Sequence, residues 1–134
     1  MSHPRPLILG HRGLHSRHPE NSLAAFSAAL ETGADGIECD LQKTSAEEYV
    51  IMHDPPDPST AGRALSLDAM LDSLPAGAFL NLELKADTLR PSDCAPILGR
   101  LRRRRQPGPL LVSSFEPRLL FPFKENGVPV GLLM

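Results

Sequence analysis

An apolar run that ends abruptly in charge occurs four times between Leu7 and Lys85. Leu7-Ile8-Leu9-Gly10 runs into His11-Arg12-Gly13, and Gly36-Ile37 into Glu38-Cys39-Asp40. Val50-Ile51-Met52 runs into His53-Asp54, and Leu80-Asn81-Leu82 into Glu83-Leu84-Lys85. Short runs of Leu, Ile and Val bounded by Gly or Pro read as buried strands. A His, an Arg or a carboxylate at the end of such a strand is costly to bury unless it meets a partner. Four ends of this kind imply one polar centre built where neighbouring strands finish.

The segments between them set the fold class. After the first strand, Leu7–Gly10, Asn21 or Ser22 can cap a helix that starts at Leu23. Leu23, Phe26 and Leu30 share one face of it at helical spacing, and Gly33 supplies the stop. The second strand, Gly36–Leu41, follows at once, and strand–helix–strand order predicts an α/β protein with parallel pairing. Only a few polar residues separate Thr44 from Tyr49, too few for a crossover helix, so strands two and three form a hairpin. A turn centred on Ala46-Glu47 sets His53 opposite Asp40.

Asp54 to Thr60 reads as a rigid surface loop. Ser66 caps a short helix that buries Leu67, Met70, Leu71 and Leu74. Phe79–Lys85 is the fourth strand, and a helix follows over Pro91–Gln106. Ile97, Leu98 and Leu101 face inward on that helix, while Arg100 and Arg102 to Arg105 form a solvated face. Leu110–Phe115 is the fifth strand, Pro117–Asn126 a short helix, and Val128–Met134 the sixth strand.

Composition narrows the function classes. The 134 residues make one domain spanning 1–134, with 41% hydrophobic and 22% charged residues. A net charge of −2 gives no argument for nucleic acid or an anionic membrane surface. No run approaches a membrane span and no secretory signal is visible. Cys39 and Cys94 sit in unrelated contexts and read as reduced thiols of a cytoplasmic protein.

Residues two apart on a strand share a face, so Glu38 pairs with Asp40, and Glu83 with Lys85. Three carboxylates on one side of a sheet repel unless a cation sits among them. Hard oxygen donors favour one divalent ion, Mg²⁺ or Ca²⁺. His11 and His53 could serve as acid and base, the role for which imidazole as a group is suited. Arg12 and Lys85 add fixed positive charge for an anionic group, and Arg is well shaped for phosphate. Singly, each residue reads as structural, Glu83 with Lys85 as a plain salt bridge. His3, His15 and His18 read as solvated loop residues. The coincidence of four polar ends points to phosphate-ester chemistry on a small-molecule substrate.

These residues carry a resemblance. His11-Arg12-Gly13, Pro19-Glu20-Asn21-Ser22, Ala25-Phe26, Gly33 to Asp40 and His53-Asp54 resemble the glycerophosphodiester phosphodiesterase family, in order. Leu80 to Lys85 and Val112-Ser113-Ser114-Phe115 resemble its later strands. The resemblance implies a TIM-type (β/α) barrel with its site at the strand C-terminal ends. It implies that Glu38, Asp40 and Glu83 hold the metal, that His11 and His53 are general acid and base, and that Arg12 and Lys85 contact phosphate. The implied reaction cleaves a glycerophosphodiester to an alcohol and glycerol 3-phosphate.

The chain departs from the family in three places. Thr44-Ser45-Ala46-Glu47 stands where the family has Thr-x-Asp-Gly. The segment from Asp54 to Leu65 is much shorter than the family's insertion. Six expected strands stand against the eight of a barrel, and there is no tryptophan to match that of the family's last strand. A barrel truncated in this way exposes an open edge through which the chain could self-associate. Two other readings stay open: a non-catalytic relative that binds metal or phosphate, and a lyase that holds Mg²⁺ at an enolate, against which the paired histidines count.

Overall fold

The computed structural model describes residues 4–104 and 107–134. His3 and Arg105, both expected to be solvated, lie outside the described residues. The central strand is β2 (Gly36–Lys43), which pairs in parallel with β1 (Leu9–His11) along its first three residues. On its other side it pairs in parallel with β5 (Phe79–Leu84) from Gly36 to Leu41. β6 (Leu110–Ser114) and β7 (Val130–Leu132) continue the parallel order, giving β1-β2-β5-β6-β7.

Strand alternation sorts this sheet into an apolar face and a polar one. Ile37, Cys39, Leu41, Leu80, Leu82, Leu84 and Val112 share a face and are buried. They pack with Phe26 of α1 (Leu23–Glu31), Met70 and Leu71 of α2 (Leu67–Ser73), Ile97 and Leu101 of α3 (Cys94–Arg102) and Phe123 of α4 (Phe121–Glu125). Each such side chain contributes roughly 1.5–3 kcal/mol by leaving water. The other face carries Glu38, Asp40, Gln42, Asn81, Glu83 and Ser113 by the same alternation.

Ser22 caps α1, its Oγ accepting the Ala25 amide at 3.2 Å. The buried face of α1 is Ala25, Phe26 and Ala29, whereas Leu23, expected inward, is 41% exposed. The helix lies too close to the β1 loop for large side chains. A Cβ on Gly13, whose φ is +81°, would stand 2.6 Å from the Ala25 carbonyl carbon. Only glycine fits that left-handed, crowded position, and only alanines let the helix approach it.

The hairpin exists, but its register differs from expectation by one residue. β2 pairs antiparallel with β3 (Tyr49–Ile51) as Leu41 with Ile51 and Lys43 with Tyr49. The Met52 amide donates to the Asp40 carbonyl at 3.0 Å, so Met52, not His53, stands opposite Asp40. The turn explains the slip. Glu47 N–H donates to Thr44 O at 2.9 Å, Thr44 N–H to Glu48 O at 2.9 Å, and Glu47 adopts φ +63°. A type I turn with a left-handed third residue makes a three-residue loop, where a two-residue turn would have aligned His53.

Glu47 stands where the resembling family has glycine, and a left-handed non-glycine residue costs about 1–2 kcal/mol. Glu47→Gly should therefore raise unfolding stability by about 1 kcal/mol once the extra freedom of the unfolded chain is deducted. Denaturant unfolding measures this; an unchanged or lower midpoint would refute the assignment of strain.

The sheet has seven strands rather than six, because Leu65–Ser66 (β4) pairs antiparallel with β3 before Ser66 caps α2. The expected helix over Pro91–Gln106 is a 3-10 turn (Pro91–Asp93) followed by α3. Among the described residues β1 pairs only with β2 and β7 only with β6, so the sheet does not close on itself.

Candidate active site

The polar face gathers its charge where the parallel strands end. Registers place His11 beside Glu38 and Asp40 beside Glu83. One carboxylate oxygen from each of Glu38, Asp40 and Glu83 lies within 4.8 Å of the others. Two cations lean on the cluster. Lys85 Nζ stands 2.9 Å from Glu83 Oε2 and 3.7 Å from Asp40 Oδ1. Arg12 Nε stands 3.4 Å from Asp40 Oδ2, while its Nη1 donates to Glu20 at 2.8 Å. Burial opposes both positive charges, yet the surrounding carboxylates outweigh it and raise both pKa values.

Glu38 is the strained member. Burial first, then the charges of Asp40 and Glu83, push its pKa up to about 7. Its Oε2 is buried and accepts no hydrogen bond, although His11 Nε2 approaches to 3.6 Å. A buried carboxylate oxygen without a donor normally signals an absent partner. Three oxygen donors with no sulfur or paired imidazole suit a hard divalent cation, so the residues fit the metal implied by the sequence.

The loop after β1 brings Arg12 to the site at a conformational cost. Arg12 has φ +58° and Asn21 φ +55°, both left-handed. Hydrogen bonds hold them there, from Arg12 N–H to Glu38 O at 2.8 Å and from Asn21 N–H to Arg12 O at 2.9 Å. Such strain costs about 1–3 kcal/mol per residue and gathers at functional sites. Asn21 is a residue of the cluster to which sequence reasoning gave no site role, since it read as a possible helix cap and as part of the Pro19-Glu20-Asn21-Ser22 resemblance. Its Nδ2 donates to Asp40 Oδ2 at 3.0 Å, and its own Oδ1 is buried without a partner. Its place, immediately before the true N-cap Ser22, was the available signal.

The structure brings His11, Arg12, Glu38, Asp40, Glu83 and Lys85 into direct contact. It treats His53 differently. The end of β3 carries His53 toward the end of β1, but its Nδ1 contacts Asp54 Oδ1 at 3.0 Å rather than a carboxylate of the cluster. Beside this edge lies a groove of about 680 Å³ bounded by Asn21, Leu23, Met52, Arg63, Leu65 and Ala69. His15 is exposed with its ring centroid 6.3 Å from that of His11, and Cys39 and Cys94 are buried and free. Among the described residues no helix is long and apolar enough to cross a membrane.

Similarity to known proteins agrees with this geometry. Over 71 residues the chain is 41% identical to the glycerophosphodiester phosphodiesterase of Caldanaerobacter subterraneus subsp. tengcongensis, covering 52% of this chain and 29% of that protein. It is 45% identical over 49 residues to probable glycerophosphodiester phosphodiesterase 1 of Mycobacterium tuberculosis, covering 37% of this chain and 18% of the relative.

The crystal structure of the Thermotoga maritima glycerophosphodiester phosphodiesterase superposes with a TM-score of 0.77 at 26% identity, over 98% of this chain and 64% of that one. An Oleispira antarctica phosphodiesterase in complex with its product sn-glycerol-3-phosphate shares the fold, with a TM-score of 0.78 at 24% identity over 95% of this chain and 65% of that one. The chain thus spans under a third of these curated relatives' length and just under two thirds of the solved structures. Its open sheet is the corresponding arc of a TIM-type barrel. Residues 11–106, well over half of the chain, match the glycerophosphoryl diester phosphodiesterase family, to which this chain belongs.

Proposed function

We propose that this protein hydrolyses glycerophosphodiesters to an alcohol and glycerol 3-phosphate, using one Mg²⁺ or Ca²⁺ held by Glu38, Asp40 and Glu83. The observation that carries this reading is the three-carboxylate cluster flanked by Arg12 and Lys85 at the strand ends. When bound, the ion polarises the phosphate and lowers the pKa of the attacking hydroxyl. Every other task falls to side chains of this chain.

Arg12 and Lys85 bind the phosphate oxygens and hold the phosphorus in line for attack. The substrate's own 2-hydroxyl forms the new P–O bond as the bond to the departing alcohol breaks. One imidazole of the His11–His53 pair takes the hydroxyl proton, and the other protonates the departing alkoxide. Water then opens the cyclic phosphate with these roles reversed. Asp54 at 3.0 Å from His53 Nδ1 orients that ring and leaves its Nε2 for proton transfer. The free, buried Cys39 and Cys94 support a cytoplasmic assignment, where thiols stay reduced.

The test is release of glycerol 3-phosphate from glycerophosphocholine, lost with a chelator and restored by Mg²⁺ or Ca²⁺. Binding of the ion without release would favour the second reading, a non-catalytic metal- or phosphate-binding protein. One observation favours that alternative: among the described residues no strand pairing joins β1 to β7.

The open edges also bear on assembly. Leu7 and Ile8 beside β1 are 57% and 62% exposed, and Leu132 of β7 is 51% exposed. Apolar, unpaired strand edges favour pairing with another chain. Light scattering should show species larger than the 14.5 kDa monomer at micromolar concentration. A monodisperse monomer with a sharp unfolding transition would overturn this expectation.

A further inference from the structure

Gln42 lies on the same face of β2 as Glu38 and Asp40, one alternation further along, and is completely buried. Both ends of its amide are engaged. Nε2 donates to the backbone carbonyl of His53 at 2.9 Å. Oε1 accepts from Thr88 Oγ1 at 2.7 Å, and the same Thr88 oxygen accepts the Lys43 amide at 2.8 Å. Thr88 and Leu89 close the turn after Lys85, their amides donating to the Lys85 carbonyl at 3.4 and 3.1 Å. One side chain therefore ties the strand end that carries His53 to the turn that carries Lys85.

We propose that Gln42 is a positioning residue, fixing His53 and Lys85 relative to one another above the carboxylate cluster. The inference rests on the roles given above to those two residues. It explains why a strand otherwise filled with apolar side chains on its helix-facing side keeps a fully buried amide on the other. A buried amide used only to satisfy its own polarity would have no reason to select these two segments. His53 needs such a tether because its register leaves it past the last ladder pair, where Met52 makes the final backbone bond to Asp40. Small misplacement of a reacting group, on the order of 1 Å, can cost about 10²-fold in rate.

The decisive variants are Gln42→Met, which keeps length and burial while removing both hydrogen bonds, and Thr88→Val, which removes the Lys85-side link together with the acceptor of the Lys43 amide. Three readouts are compared with the wild-type chain: calorimetric binding of Mg²⁺ and Ca²⁺, the His53 ring resonances together with amide exchange at His53, Asp54, Thr88 and Leu89, and kcat/KM on glycerophosphocholine. Gln42→Met should bind the ion within about threefold of wild type, shift and broaden the His53 signals, and speed exchange in both segments at least tenfold. Its kcat/KM should fall about 10–100-fold. Thr88→Val should affect the Thr88–Leu89 segment and the Lys43 amide but leave the His53 signals unchanged, and Thr88→Ser should restore both.

The double variant should lose little beyond Gln42→Met, as expected for one connected unit. His53 signals and exchange that match wild type in Gln42→Met would overturn the proposal. So would simultaneous loss of ion binding, which marks a packing role only. If Gln42→Met fails to fold, Thr88→Val decides, and wild-type exchange at Thr88 and Leu89 in that variant overturns it. Absence of wild-type hydrolysis would refute the proposed activity, while the resonance and exchange readouts would still decide the tether.

Discussion

Replacing Glu38 and Glu83 together by glutamine should abolish divalent-ion binding, with an affinity loss of at least about 10²-fold by calorimetric titration. The same double variant should be more stable than the parent when both are free of metal above pH 7. Both expectations come from one feature, a carboxylate cluster with Asp40 buried and Glu38 and Glu83 half-buried, whose charges lack sufficient compensation. Glu38 has its pKa raised by burial and by Asp40 and Glu83 from 4.5 to about 7. A carboxyl that holds its proton more tightly when folded stabilises fully below its ordinary value of about 4.5 and loses that stability as pH rises through 7. The shift corresponds to roughly 3 kcal/mol at pH 8.

Glutamine at position 38 stays neutral and should remove that pH dependence. An ion held by the three carboxylates would remove it differently, by neutralising them, so apparent ion affinity should climb between pH 5 and 7 and level off above. Unchanged ion binding in the double variant would refute the ligand assignment. Metal-free stability that rises between pH 5 and 8 would refute the charge strain on Glu38.

His11→Ala and His53→Ala should each lower turnover of glycerophosphocholine by about 10²-fold or more, the usual scale for a proton-transfer group. The double replacement should cost far less than the product of the two, because residues that act on one proton relay fail together. His11 approaches the cluster directly, whereas His53 contacts Asp54, so the two should respond differently to a third change. Asp54→Asn should depress activity in the parent and have little effect on His53→Ala. Near-full activity in either single histidine variant would remove that residue from the acid–base pair.

Much of the site was legible because strand geometry is strictly periodic. Alternation alone put Glu38 with Asp40 and Glu83 with Lys85. Glycine stops and serine caps at Ser22, Gly33 and Ser66 announced where helices begin and end. Asn21 was not legible as a site residue, since a polar side chain before a helix usually serves as a cap. Only the left-handed backbone at Arg12 and Asn21, fixed by contacts to β2 and within the β1–α1 loop, turns that side chain onto Asp40.

Leu23 shows the limit of helical periodicity. The sequence places it on an apolar face, but the closeness of α1 to Gly13 selects alanines there and leaves Leu23 exposed. The hairpin shows the limit of register. The sequence by itself determined that His53 follows a strand paired with β2, because too few residues separate the two strands for any other connection. Tertiary structure decided its partner. A left-handed Glu47 lengthens the turn by one residue and sets Met52 against Asp40. Likewise, the residue types determined a hard-cation donor set, but only the parallel register of β2 with β5 brings Asp40 and Glu83 side by side, because pairing between strands distant in sequence is fixed by packing of the whole sheet.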